Sequence, residues 1–299
     1  MPLPSLTPKV RSLGSTLTSV AVIVAWAVSP SAHGIGIVIN EFRATNTAIP
    51  TGSVMATNEF IEFLITAPTT ANELASLTFG DTNNATSRIS SAFAFDLSTL
   101  DGVLNSAGLT EFQVGTLIVV KGTGLGAQNL SYNPLSATIS DQDAWAIELV
   151  VNQGFSRVAT YPQGGPMNLN TNQGDVVWIA QGTPNRATTT SGFIDALGIE
   201  TTMGRIANDA VNIFGTSAIL NTSVPNNGSN AVSRSFSGGA PILAAPSRGT
   251  AGTNAAEINA LRLDTLSLAG IPEPTRASLL AFALLSVALR RRRSVSLSA

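Results

Sequence analysis

The sequence predicts an all-β sandwich with long loops. Two observations carry this. Short apolar runs, heavy in β-branched and aromatic residues, recur between polar turns: Ile35-Gly-Ile-Val-Ile39, Phe60-Ile-Glu-Phe-Leu-Ile65, Thr116-Leu-Ile-Val-Val120, Trp145-Ala-Ile-Glu-Leu-Val-Val151 and Val176-Val-Trp-Ile179. Runs of this length and composition are strands, and several are apolar on both faces, as strands inside a sandwich are. Turn chemistry fills the gaps, at Asn83-Asn84, Gly122-Thr-Gly124, Pro162-Gln-Gly-Gly165 and Pro225-Asn-Asn-Gly228. Long amphipathic helices are scarce, and residues 201–230 are too poor in pattern to assign.

The N-terminal end reads as an export signal. Residues 1–34 carry Lys9 and Arg11, then an apolar core at 20–28, then Ala32-His33-Gly34 as a small-x-small cleavage site. That order is the order of a secretory signal peptide.

The C-terminal end reads as a membrane-handling device. Ile271-Pro272-Glu273-Pro274-Thr275-Arg276 precedes thirteen uncharged residues, 277–289, and then Arg290, Arg291, Arg292 and Arg293. Thirteen helical residues span roughly 20 Å, against about 30 Å of bilayer hydrocarbon. The segment is therefore marginal as a permanent span. The arginines would stay cytoplasmic, and the two prolines stop a helix from running back into the domain. These residues resemble the PEP-CTERM sorting signal of Gram-negative bacteria. The resemblance implies a membrane-embedded exosortase that recognises Pro272, Glu273 and Pro274 and cuts near them. It further implies transient residence in the inner membrane, then the cell surface or the extracellular space.

Between these ends, residues 35–270 hold Lys121 and eight arginines against seventeen carboxylates, a balance of −8, although the whole chain sums to −2. A mildly acidic domain lacks the basic face that nucleic acid requires. The chain has no cysteine, so an exported domain of this kind rests on its core and not on disulfides. Its one histidine, His33, lies at the expected cleavage site. Losing it removes Ser-His-Asp and Cys-His catalysis and the usual zinc ligands. Catalysis would then rest on carboxylates, Lys121, Tyr132 or Tyr161.

A second set of motifs runs through residues 35–254. Ile37-Val-Ile-Asn-Glu41-Phe42 and Asn58-Glu59-Phe60-Ile61-Glu62-Phe63 open it, and Leu77-Thr-Phe-Gly-Asp81 and Gly115-Thr-Leu-Ile-Val-Val120 come after them. Next are Asn168-Leu-Asn-Thr-Asn-Gln-Gly174-Asp175-Val-Val-Trp-Ile179 and Ser191-Gly-Phe-Ile-Asp195-Ala-Leu-Gly198. Ser233-Arg234 and Pro246-Ser-Arg-Gly249-Thr-Ala-Gly252-Thr-Asn254 close the series. In this order they resemble a lamin-tail domain. The likeness is stretched by extra residues at 81–115, 121–168 and 199–231, and Gly249 lacks the usual preceding proline. The resemblance implies an immunoglobulin-like β-sandwich that serves as a non-catalytic interaction module. Residues 255–270 read as a linker, holding one or two helical turns or a last strand.

Several constellations point to chemistry and are outweighed by structure. Glu59 and Glu62 fall on opposite faces of one strand, so they do not converge as an acid–base pair. Glu62 then needs a partner, for which Arg43 or Arg234 is available. Asp141 and Asp143, with Glu148 nearby, form the densest acidic group. Alternate carboxylates on a loop can gather Ca²⁺, although the EF-hand glycine is missing. Gly122-Thr-Gly124-Leu-Gly126-Ala127 fits a dinucleotide fingerprint, but residues 128–134 read as a loop and not as the required helix. Trp145 and Trp178 sit in strands, where aromatics are usually core.

The sequence therefore predicts an exported, non-enzymatic surface or matrix protein that acts by contact, with extracellular polysaccharide as a partner by analogy. No cofactor is expected beyond Ca²⁺ at Asp141 and Asp143. The alternative is a Ca²⁺-dependent glycan-binding protein or a carbohydrate-active enzyme working from carboxylates.

Overall fold

The computed structural model describes residues 35–45, 49, 55–83, 88–89, 91–139, 141–160, 166–167, 169, 175–182, 192–200, 218–221, 229–236 and 240–269. The stretches read as an export signal and as a C-terminal sorting signal, Tyr161 and most of residues 201–230 lie outside them. Two β-sheets carry the fold. The first holds β1 (Ile37–Arg43), β2 (Phe60–Ile65), β6 (Leu117–Lys121), β7 (Ala146–Val150), β12 (Ala231–Ser233) and β13 (Ile242–Ala244), in the spatial order β13-β12-β1-β2-β6-β7. The second holds β3 (Leu77–Asn83), β5 (Ser91–Phe95), β8 (Phe155–Thr160), β9 (Asp175–Gln181), β10 (Phe193–Glu200) and β11 (Ala218–Asn221), in the order β11-β10-β9-β3-β5-β8. A short β4 (Arg88–Ile89) pairs with β3. The β6–β7 and β10–β11 pairs are parallel, and the other pairs are antiparallel.

All five apolar runs singled out in the sequence are strands. Inward residues of both sheets make one core between them. Ile37, Ile39, Phe63 and Ile118 come from the first sheet, and Phe79, Phe93, Phe95 and Val177 from the second. Phe79 is the centre of its rings, 4.9 Å from Phe95, 5.4 Å from Phe63 and 5.7 Å from Phe155. Such edge and tilted contacts add to the gain from burying the ring area.

A bulge in β1 sets up the outer face of the first sheet. Ile39 pairs with Phe63, but Glu41 pairs with Glu62, so Asn40 is the extra residue. An extra residue reverses the side-chain alternation beyond it. Ile37 and Ile39 point inward before the bulge, and Phe42 points inward after it. Glu41 is thereby turned to the outer face, opposite Glu62.

Helices are added to the sheets, the second of them within the extra residues 81–115. At α1 (Ala71–Ala75), Thr70 and Glu73 form a reciprocal capping box. At α2 (Leu97–Ala107), Asp96 caps the start through Thr99, and Gly108 ends the helix with φ at 68°. That left-handed φ suits glycine. The apolar side of α2, Leu100, Val103 and Leu104, joins the core. The stretch read as a linker is a third helix, α3 (Ala255–Ala269), packed through Ile258 on Leu64, Leu117 and Ala146 of the first sheet. The fold is thus a two-sheet β structure with helices added. No helix among the described residues is long and apolar enough to cross a membrane.

Candidate functional site

The chemistry-bearing residues gather on the outer face of the first sheet. One lateral row crosses it through directly paired positions: Ser233, Glu41, Glu62, Val119 and Glu148. Apolar patches lie to both sides, one around Leu64 and Ile258 and the other around Phe60 and Ala231, which pack on Val119 of the row. Glu41 and Glu62 are 1% and 0% exposed, so their charges need donors.

The closing passage of the sequence supplies those donors. Glu41 accepts from the Ser247 amide at 2.8 Å, from Ser247 Oγ at 2.7 Å and from Ser233 Oγ at 2.9 Å. Glu62 accepts from the Gly249 amide at 2.7 Å and from Asn40 Nδ2 at 2.6 Å. Asn40 Oδ1 in turn accepts from Asn254 Nδ2 at 2.8 Å. Glu148 is held by Lys121 and by Arg248 Nε, the latter at 2.7 Å. Thus Ser247, Arg248, Gly249 and Asn254 clamp one loop onto three glutamates.

The anchor of α3 extends this clamp. Arg262 is fully buried, lies 5.3 Å over the Trp145 ring, and donates to Gly115 O at 3.0 Å and to Gln142 Oε1 at 2.8 Å. Gly115, with φ at 90°, leaves the room: a Cβ there would stand 2.6 Å from Arg262 Cγ. Burial pulls the guanidinium down to about 10, with Glu62 and Tyr132 pulling it back up. It stays a cation at neutral pH.

Two glutamates lose their ordinary acidity. Burial pushes Glu62 up to about 8, and the facing charge of Glu41 adds to this. Asn40, the Gly249 amide and Arg262 act against it. Burial also pushes Glu59 up to about 8; the amides of Leu169 and Thr45 oppose this, and Asp81 adds to it. Glu59 stands just before β2 and ties the end of β1 to the approach of β9, through Thr45 N and Leu169 N at 3.2 Å each.

A second polar knot joins the two sheets. At the β1 bulge, Ile39 N donates to Asp195 Oδ2 at 2.7 Å, and Ile39 O accepts from Arg234 Nε at 2.7 Å. Arg234 Nη2 donates to Asp195 at 2.6 Å. The two motif residues thereby satisfy a backbone that β12 does not reach.

The remaining candidates from the sequence take other places. Glu62 is partnered by Asn40 and a backbone amide, and not by Arg43 or Arg234. Asp141 accepts from the Ala144 amide at 3.4 Å, and Asp143 opens a 3-10 turn, Asp143–Trp145. Glu148 turns instead to its two cations. Among the described residues no group of three or more His, Cys, Asp or Glu is placed to hold a metal. Tyr132 is buried, bonded to Thr116 Oγ1 and the Gln113 amide, and pushed up to about 12 by that burial. The glycine-rich passage forms a 3-10 turn, Thr123–Leu125, with no helix to face a phosphate. Gly122 is there for space, since a Cβ would meet Ala56 O at 2.0 Å. Trp178 is core and donates to Asp81 O at 3.1 Å. Pro272, Glu273, Pro274 and Arg290 to Arg293 lie outside the described residues.

No protein-family model matches this chain, and no curated protein does. Among solved structures, a DUF4876 family protein from Bacteroides thetaiotaomicron VPI-5482 is similar at 11% identity, with a TM-score of 0.38 over 72% of this chain and 68% of that one. A likeness at that level carries no argument about function.

Proposed function

We propose that this is an exported, exosortase-processed protein of the cell surface or extracellular matrix, whose domain is an immunoglobulin-like, lamin-tail-like sandwich that acts by contact and not by catalysis. One observation carries the reading of the domain. Its motif residues are spent on the frame: Glu41, Glu62, Asp195, Arg234, Gly249 and Asn254 all hydrogen-bond to other parts of the same fold. Carboxylates tied to backbone amides and to each other's neighbours position loops. A reacting pair must instead converge on a shared substrate position. The export half of the reading rests on the two terminal sequence signals.

Processing is the testable step. A Pro272→Ala/Pro274→Ala chain, expressed in the native host, is expected to accumulate at full length in the inner-membrane fraction. The wild-type chain is expected at the surface or in the medium, shortened by its C-terminal segment. Equal size and equal location for the two chains would refute the sorting role.

A further inference from the structure

The strap formed by residues 247–269 is the last described piece of the fold before the sorting signal. It is fastened to two carboxylates that face each other. Glu41 and Glu62 are paired directly across β1 and β2. Both are buried, and like charges directly opposite on adjacent strands repel. The strap covers both: Ser247 caps Glu41, Gly249 caps Glu62, and Asn254 reaches Glu62 through Asn40.

We propose that the Glu41–Glu62 pair keeps one proton while the strap is closed, and that losing this proton loosens the strap. Two carboxylates in one dry site cannot both ionise cheaply, so one retains its proton. The donor count places it. Three donors converge on Glu41 and two on Glu62, so Glu41 is the better-supported anion. Glu62 is the member raised to about 8. Opening the strap lets water reach Glu62, whose carboxyl then returns towards its ordinary 4.5. Opening and proton release are therefore linked.

The other charges around the pair do not cancel this. Arg262 of α3 is the cation felt by Glu62, and its hydrogen bonds go to Gly115, Gln142 and Ile139. It titrates near 10, above the window concerned. Lys121 and Arg248 are engaged by Glu148. Arg43 shares the outer face of β1 but is paired with Phe60, two positions beyond. Because Glu62 is raised in the closed state, the strap is most secure below about 4.5 and weakens as pH rises to about 8. Beyond that the effect levels off.

Hydrogen exchange of the full chain in mild detergent, corrected for the chemical exchange rate, tests this. The opening constant of the 247–269 amides is expected to rise by up to roughly tenfold per pH unit between pH 5 and pH 8, then to flatten. Amides in the first turn of α2, which is capped by Asp96 and frays without exposing either buried glutamate, show no such rise. Glu62→Gln removes the titration, so its strap opening is independent of pH. Its absolute protection starts lower, because an NH₂ replaces one accepting oxygen, and the slope is the readout. Glu41→Gln removes the facing charge and shortens the window from its upper end. Glu59→Gln leaves the strap slope intact. A wild-type strap whose opening does not change with pH overturns the proposal, and so does a Glu62→Gln slope equal to wild type. If Glu62→Gln fails to fold, the wild-type contrast between the strap and the first turn of α2 decides alone: a strap slope no steeper than that of α2 overturns the proposal.

Discussion

Phe79 and Glu62 are equally hidden from water, and different forces keep them there. Phe79 lies between the sheets against four other rings, Phe63, Phe93, Phe95 and Phe155. Glu62 lies on the other side of the first sheet under a loop, and its neighbours are an amide side chain, a backbone N–H and a second carboxylate. The interior is held by area removed from water, which is non-directional and tolerant of detail. The outer face is held by matched donors and acceptors, which fail as soon as one is missing. The first region makes the domain fold; the second fixes where its C-terminal strap sits.

Substitutions separate the two regimes. The largest loss is expected at the interior. Phe79→Ala deletes the ring that joins both sheets and should cost on the order of 4 kcal/mol in urea denaturation, with the whole domain melting earlier. A loss below about 1 kcal/mol would mean that the sheets do not share one core. Next comes the knot between the sheets. Asp195→Ala strips Arg234 of its carboxylate and Ile39 of its acceptor, and should cost roughly 3 kcal/mol by the same measurement. Asp195→Asn should recover part of it; no recovery would point to packing instead of hydrogen bonding.

On the outer face the effects become local. Arg262→Ala leaves Gly115 O without its side-chain donor and Gln142 Oε1 with the Ala251 amide only, at about 2 kcal/mol. The loss should show first as faster exchange in α3, while β9 stays protected. Uniform loss across both would erase the distinction between strap and core. The smallest effect is a helix cap. Asp96→Ala should lower stability by about 1 kcal/mol and fray the first turn of α2. An unchanged melting curve would show that α2 is held by Leu100 and Leu104 alone.

The same contrast explains what the sequence allows to be read. The strands are legible because β-branched runs advertise burial by composition. The β1 bulge is not written there: Ile37, Val38 and Ile39 are all apolar, so no alternation marks the extra residue Asn40 before the register does. The helix α2 carries plain signals in Asp96, Gly108 and the 100, 103, 104 spacing, but it lies in a stretch whose extra length reads as inserted loop. The hold on Glu62 is not legible. Its donors include a backbone N–H, which has no residue signature and lies 187 positions away. Arg234 is available to Glu62 by charge alone. Geometry sends it to Asp195, because Ile39 exposes both an N–H and a carbonyl beside that carboxylate. Arg262 likewise finds its acceptors 120 and 147 positions away, so residues 255–270 give no sign in sequence of being an anchored helix.

The central claim is that the motif carboxylates are buried parts of the frame, with their acidity set by that burial. Urea denaturation of the wild-type chain and of Glu59→Gln, at pH values from 5 to 8, tests it most directly. Glu59 is raised when folded, so its contribution is complete below about 4.5 and is lost as pH climbs towards about 8, by up to about 1.4 kcal/mol per pH unit. The glutamine chain starts lower at pH 5, where its NH₂ opposes a backbone donor, and it should lack this part of the pH slope. The stability difference between the two chains should therefore shrink or reverse by pH 8. A difference that stays constant from pH 5 to pH 8 would contradict the account, because Glu59 would then titrate in the folded protein as it does in water.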